Sequence, residues 1–181
     1  MIRDGSESVG RPGIVSWLML AVWGSWIAGS QAVVVAAFDG SSAWVPDALT
    51  VLLLALCAEL PQREAFKAAV ILAAVRLAFS IEPPEATLCG LLVLTGLALA
   101  LRAVTETSGV LVRTIFAGFA TAGFASWLIL VHGARLGLSS DIGLDVIVVW
   151  PTAVASATFA LFFAPLLARL PGLSPLHRER W

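Results

Sequence analysis

The sequence predicts an all-α integral membrane protein, a six-span helical bundle with both the N terminus and the C terminus in the cytoplasm. Of its 181 residues, 59% are hydrophobic and 13% are charged, whereas about 25% of the residues in soluble domains are charged. The apolar residues form six runs separated by short polar corners, as expected of helices that cross a bilayer. We therefore expect a single membrane domain.

Each apolar run predicts one helix. The third run, of 16 residues, is the shortest and contains Lys67 and Arg76, so we expect it to be tilted, incomplete or locally broken. The polar segments 1–13 and 171–181 are predicted to be cytoplasmic tails that flank a six-helix transmembrane domain at 14–170. The predicted helices cover residues 14–38, 44–60, 65–80, 86–104, 110–131 and 144–170.

The boundaries between the runs carry residues that end helices. The first run has 25 residues, which form a helix of about 38 Å, long enough to cross a hydrocarbon core of about 30 Å with some tilt. A polar turn follows at 39–42, and Pro61 closes the second run. The Glu-Pro-Pro-Glu sequence at 82–85 separates the third and fourth runs, and 105–108 separates the fourth and fifth. Such corners belong outside the hydrocarbon or under a cover of protein.

The distribution of basic residues predicts the orientation of the bundle. Nine of the eleven Lys and Arg residues fall on one side, in the two tails and at the corners after the second and fourth runs. The loops predicted for the opposite side are acidic and contain Arg135, and Arg76 lies within the third run. Cytoplasmic loops of membrane proteins carry the excess of Lys and Arg. Both tails are therefore expected in the cytoplasm.

Arg76 is the most unusual residue of the apolar runs. A charge at the centre of a membrane helix costs about 2.5–3.5 kcal/mol on insertion scales, so Arg76 requires a partner, water or headgroups. The candidate partners on the same predicted side are Asp47, Glu82 and Glu85. The alternatives are an anionic ligand, or snorkelling of the long side chain towards the outer interface.

Small residues indicate where helices approach each other closely. Ala28, Ala32 and Ala36 form a ridge along one face of the first helix, which favours either close packing within the chain or docking of another membrane subunit. In the fifth helix, Gly118 or Gly123 is expected at a helix crossing. The spacing of His, Cys, Asp and Glu predicts no metal site, no cofactor and no catalytic residues.

The order of these features resembles the MreD family, the small polytopic subunit of the bacterial rod-shape, or cell-wall elongation, machinery. The resemblance rests on Val45-Pro46-Asp47 before the Leu-rich second run, and on the basic corner Pro-Gln-Arg-Glu at 61–64. It also rests on the fourth run ending in arginine and on Ala164-Pro165-Leu166-Leu167-Ala168-Arg169 at the end of the sixth. The chain departs from the family at the end of the third run, where members carry an acidic residue with Gly-Ser turn residues.

The resemblance implies a non-enzymatic protein of the bacterial cytoplasmic (inner) membrane. Its partners would be a single-span scaffold like MreC and, through it, the glycan polymerase and transpeptidase of the elongation complex, with no role for nucleic acid. Two other functions stay open. The chain has the length and predicted span number of the substrate-binding subunit of an energy-coupling-factor vitamin transporter, whose first helix docks through an alanine ridge. It could also be an accessory subunit of another membrane complex.

Overall fold

Six α-helices connected by short segments make up the fold in the computed structural model, which describes residues 13–37, 44–104, 110–137 and 142–173. Four of the helices, α1, α4, α5 and α6, are long and apolar enough to cross a membrane. The protein is therefore an all-α membrane bundle, as the composition predicts. The helices are α1 Ile14–Ala37, α2 Ala48–Glu59, α3 Gln62–Phe79, α4 Pro84–Val104, α5 Val110–Leu136 and α6 Ile142–Leu167.

Each helix differs from its predicted apolar run by at least one residue at one end, and three of the differences have a structural cause. The third run, predicted to be tilted, incomplete or locally broken, is one unbroken helix of 18 residues. Its Lys67 is exposed and pairs with Glu64 one turn earlier. The second helix has only 12 residues and begins after Asp47, its N-cap, so Trp44, Val45 and Pro46 lie outside the helix. The fifth helix continues to Leu136 and ends at Gly137, whose φ of 65° is typical of a helix C-terminal glycine.

The short helix α2 lies at the centre of the bundle. Its buried residues surround the helix axis rather than forming one stripe, and it contacts each of the other five helices. A helix that is apolar on all sides is expected to be covered on all sides. At about 1.5 Å per residue its 12 residues span about 18 Å, so α2 is shorter than the hydrocarbon core of about 30 Å.

The bundle has two ends, which we name after the arginines that lie there. At the Arg76 end, the start of α2 meets the corner between α3 and α4, and Gln31 of α1 donates to the carbonyl of Pro46 at 2.8 Å. At the Arg102 end, the last turn of α4 meets the end of α2. Consecutive helices run in alternating directions. The helices α5 and α6 extend beyond the level of Arg76, because Phe124 and Ser156, which contact Arg76 and Asp47, lie near the middle of these two helices.

The last residues that the structure describes pack against α1. Leu173 is buried, and the indole Nε1 of Trp23 donates to the carbonyl of Pro171 at 3.0 Å. The first residues of the predicted C-terminal tail at 171–181 therefore belong to the folded bundle. The rest of that tail, residues 1–12 of the N-terminal tail and most of the loops at 38–43, 105–109 and 138–141 lie outside the described residues.

Candidate functional site

Arg76 lies in the last turn of α3 and binds two carboxylates. Its Nε and Nη2 donate to the two oxygens of Glu82 at 2.8 and 2.9 Å, which is the bidentate geometry of a strong arginine–carboxylate pair. Its Nη1 donates to Oδ2 of Asp47 at 2.7 Å. The guanidinium therefore joins the end of α3 to the corner that follows it and to the start of α2.

Asp47 holds the second position of this cluster because it is the N-cap of α2. Its Oδ1 accepts from the backbone N–H of Thr50 at 3.1 Å, and its Oδ2 accepts from the Thr50 hydroxyl at 2.9 Å. The first N–H groups of a helix have no partner within the helix, and an aspartate at this position satisfies one of them. The backbone N–H of Asp47 donates to the hydroxyl of Ser156 on α6 at 2.8 Å. Asp47 thus connects α2, α3 and α6.

Glu82 occupies the corner between α3 and α4. Besides Arg76, its Oε2 accepts from the hydroxyl of Thr87 in the first turn of α4 at 3.1 Å. The guanidinium carbon of Arg76 also lies 4.8 Å from the centre of the Phe124 ring on α5, within the range of a cation–π interaction. We call Asp47, Arg76 and Glu82 the Arg76 cluster; with its contacts it involves every helix from α2 to α6.

The Arg76 cluster is largely removed from solvent. The exposed fractions of the side chains are 17% for Arg76, 10% for Asp47 and 23% for Glu82. One arginine and two carboxylates leave a formal charge of −1, which hydrogen bonds from Thr50 and Thr87 partly compensate. Removing one member of such a buried pair costs about 3–5 kcal/mol because the remaining charge is uncompensated. The geometry is that of a structural clamp rather than of an arginine that extends towards headgroups.

Glu85, the third predicted partner of Arg76, is not part of the cluster. It lies in the first turn of α4 and forms an ion pair with Arg135 of α5, and the two side chains are 58% and 50% exposed. The α4 helix begins at Pro84, so Glu85 lies within the helix, where it pairs with Arg135 of α5. Glu82 precedes the helix and lies in the corner next to Arg76. This second pair is superficial, and such pairs contribute about 0–1 kcal/mol.

The small residues divide between packed and open positions. A Cβ atom at Gly118 would lie 3.2 Å from the Cβ of Ala157, so α5 and α6 cross closely at this point. Gly123 is exposed, with nothing within 4 Å of the position of its Cβ. On α1, Ala28 is buried, but Ala32 and Ala36 are exposed. Gly118 therefore occupies the predicted crossing, Gly123 does not, and the outer part of the alanine ridge is uncovered.

Arg102 was predicted only as a basic residue at a helix end, yet it caps α2. Its Nη1 donates to the carbonyls of Cys57 at 3.0 Å and Leu60 at 2.7 Å. These carbonyls belong to the last turn of α2 and the residue after it, where no N–H within the helix is available. The sequence carries no signal for this long-range contact, nor for Ser156 and Phe124 at the Arg76 cluster. The Asp-x-x-Thr spacing of residues 47–50 is the one local pattern that indicates part of the site.

Neither cysteine belongs to the Arg76 cluster. Cys57 is buried in α2, and Cys89 is exposed on α4. Within the described part of the chain, no three His, Cys, Asp or Glu side chains are placed so that they could hold a metal ion. No protein-family model, curated protein or solved structure matches this chain.

Proposed function

We propose that this protein is a non-enzymatic subunit of the bacterial cell-wall elongation machinery, located in the cytoplasmic membrane. In this proposal it crosses the membrane six times, has both termini in the cytoplasm, and binds a single-span scaffold protein like MreC. The scaffold links it to the glycan polymerase and transpeptidase of the complex. The sequence resemblance to MreD supports this function, and one structural observation carries it: a clamped corner with uncovered apolar side chains beside it.

The charges at the two ends support the proposed orientation. The described basic residues at the Arg102 end are Arg63, Lys67, Arg102, Arg113 and Arg169. At the Arg76 end lie two basic residues, Arg76 and Arg135, together with Asp47, Glu82 and Glu85. In the proposed topology the chain passes between the two sides of the membrane six times, and the short α2 makes its passage within the bundle, with both of its ends covered by neighbouring helices. The positive-inside rule then assigns the Arg102 end to the cytoplasm.

The clamped corner presents apolar side chains at the Arg76 end. Arg76 holds Glu82 in place, and the neighbouring Ile81 is fully exposed while Phe79 is 48% exposed. The end of α1 lies beside them, because the Phe79 ring is 3.7 Å from the position of a Cβ at Gly29. All residues of α1 from 32 to 37 are exposed, including the two outer alanines of its ridge.

We name Ala32, Ala36, Phe79 and Ile81 the corner surface. Small residues such as Ala32 and Ala36 allow the backbone of a second helix to approach closely, which is the main source of helix association in membranes. Ile81 and Phe79 add apolar contact at the point where a partner helix would leave the hydrocarbon. A single membrane-spanning helix that continues into an extracytoplasmic scaffold has the shape and chemistry that this surface fits.

The partner function is tested by enlarging a residue of the corner surface. Overpacking of a helix interface costs about 1–3 kcal/mol, so Ala32→Leu should lower the affinity for the scaffold about 5- to 150-fold. The matched control is Ala134→Leu, which enlarges an exposed alanine of α5. Scaffold is co-purified from cells that express each variant at equal level. Unchanged recovery with Ala32→Leu would refute the corner surface as the docking site.

The orientation is tested separately by cysteine labelling in a variant whose Cys57 and Cys89 are replaced by alanine. A membrane-impermeant maleimide applied to intact spheroplasts should label Glu85→Cys at the Arg76 end. It should label Gln62→Cys at the Arg102 end only after the membrane is opened. Both parent side chains are exposed, so access depends on the side of the membrane. Labelling of Gln62→Cys in intact spheroplasts would refute the proposed orientation, because it would place the Arg102 end outside the cytoplasm.

The exposed alanines also favour a second candidate, the substrate-binding subunit of an energy-coupling-factor transporter. Ala32 and Ala36 would then dock the coupling subunit. They lie at the Arg76 end, however, which the charges assign to the outer side, whereas the ATPases of such a transporter are cytoplasmic. Identification of the co-purified proteins separates the candidates: a scaffold and a penicillin-binding protein in one case, ATPases in the second, and other subunits if the chain serves another membrane complex.

A further inference from the structure

A cavity of about 410 Å³ lies at the Arg102 end, between α2, α4, α5 and α6. Ligand sites in proteins commonly have volumes of about 300–1,000 Å³. The space exists because each of the four helices contributes small residues where they would otherwise meet. Most of the lining side chains are alanine or larger apolar residues, among them Ala58, Ala98, Ala117, Ala160 and Ala164.

The charged residues that line this cavity are predominantly basic. They are Arg102, Arg113 and Arg169, with Glu59 as the acidic member. The lining thus has a formal excess of two positive charges, and Glu59 and Arg113 each already have an interaction partner. Arg102 is held in position by the carbonyls of Cys57 and Leu60, which both bind its Nη1. A guanidinium has five N–H donors in a planar fork, so these two bonds do not exhaust its capacity.

We propose that this cavity binds a phosphorylated lipid, with the phosphate at the three arginines and hydrocarbon along the alanine-lined walls. Arginine is suited to phosphate because two of its N–H groups can bind two phosphate oxygens at once. Basic pockets between membrane helices on the cytoplasmic side recognise lipid headgroups in this way. Arginines that served only to orient the chain would not need to line a cavity with apolar walls. This site is separate from the corner surface and does not depend on the proposed partner function.

The ligand chemistry fits either a bilayer glycerophospholipid or another lipid that carries a phosphate. Lipids retained by the protein after purification from its membrane in mild detergent are identified by mass spectrometry. Recovery of either class with about one molecule per chain supports the site and distinguishes the two sources. Recovery of neutral lipid alone, or of no lipid, would overturn the proposal.

Binding is measured by native mass spectrometry of the full chain with added phosphatidylglycerol, and with phosphatidylcholine as the zwitterionic probe. We expect one phosphatidylglycerol to bind at least about tenfold more tightly than phosphatidylcholine. Each basic residue near a membrane surface contributes about a fivefold effect on the binding of anionic lipid. Arg169→Gln should therefore weaken phosphatidylglycerol binding about fivefold, while the control Arg63→Gln, an exposed arginine at the same end outside the cavity, should not.

Two further measurements distinguish binding in the cavity from non-specific attraction of anionic lipid to basic surface residues. Ala164→Leu fills part of the apolar wall and should weaken binding without any change in charge. Dodecyl phosphate should displace phosphatidylglycerol from the unmodified protein at concentrations at which inorganic phosphate does not. Equal losses in Arg169→Gln and Arg63→Gln would show that the cavity has no role. Equal competition by inorganic phosphate would overturn the assignment of a lipid, because the apolar walls would then contribute nothing to binding. The competition experiment needs no variant, so it decides the matter even if Ala164→Leu fails to fold.

Discussion

Replacement of Arg76 by alanine removes the cation that Asp47 and Glu82 share. The change leaves two carboxylates, 10% and 23% exposed, and takes the formal charge of the cluster from −1 to −2. Asp47 keeps its hydrogen bonds from Thr50, and Glu82 keeps the one from Thr87, but neither keeps a positive partner. We expect a loss of about 3–5 kcal/mol in the free energy of unfolding.

The same cluster predicts that removing a carboxylate is less harmful than removing the arginine. Glu82→Gln brings the formal charge to zero, keeps an acceptor oxygen for Arg76, and leaves the Arg76–Asp47 contact at 2.7 Å intact. Asp47→Asn also brings the charge to zero, and asparagine is as good an N-cap as aspartate. Each should cost less than the arginine substitution. The double variant Arg76→Ala/Glu82→Gln should be more stable than the sum of the single effects indicates, because the two side chains interact directly.

Thermal unfolding of the purified protein in detergent measures these differences. For chains of 150–250 residues, 1 kcal/mol shifts Tm by about 2–4 °C, so Arg76→Ala should lower Tm by about 6–20 °C. The matched control is Arg135→Ala, which also breaks an ion pair to a glutamate at the same end. In that pair the side chains are 50% and 58% exposed, and we expect a shift below about 4 °C. Equal shifts in the two variants would refute the interpretation of the Arg76 cluster as a clamp.

Two further predictions concern helix packing and the second end of α2. Gly118→Leu should destabilise the bundle by about 1–3 kcal/mol, because its side chain would enter the α5–α6 contact. Gly123→Leu, at an open position, should leave Tm unchanged. A larger loss of Tm in Gly123→Leu than in Gly118→Leu would show that α5 is rotated about its axis. Arg102→Met retains an apolar stem but loses the bonds to two carbonyls, so it should cost about 1.5–3 kcal/mol. Arg63→Met, at an exposed position, is its control, and an equal change in Tm would show that Arg102 does not cap α2.

The number and order of the helices follow from the sequence because apolar runs and polar corners are local features. The ends of α2 are less evident. Residues 44–60 are apolar apart from Asp47, Thr50 and Glu59, and Pro46 with the capping pattern from Asp47 to Thr50 indicates that the helix starts late. The predicted end of α5 lies five residues before the observed end. Hydropathy indicates where a helix leaves the lipid, whereas the helix itself continues as long as its backbone hydrogen bonds continue. His132 and Arg135 lie in the helix despite their polarity.

The sequence reduces the possible partners of Arg76 and the possible crossing points of α5 to a few residues, but it does not decide between them. Glu82 and Glu85 are both close enough to Arg76 along the chain, and the choice depends on where α4 begins. Gly118 and Gly123 are five residues apart, which places them about 140° apart around a helix of 3.6 residues per turn. They cannot face the same neighbour, but the rotation of α5 decides which one does. Ser156 and Phe124 reach the cluster from distant parts of the chain, and no local pattern indicates them.

The short length of α2 is consistent with the polar contacts that the structure has at both ends of this helix. A helix of about 18 Å cannot place both of its ends in water across a core of about 30 Å. The unpaired N–H and carbonyl groups at its ends must then be satisfied inside the protein, since lipid offers no hydrogen bonds. Asp47 does so at the start of α2 and requires Arg76 to balance its charge, and Arg102 does so at the end. Asp47, paired with Arg76, and Arg102 thus satisfy the two ends of one short central helix, and Arg76 also binds Glu82 in the corner before α4.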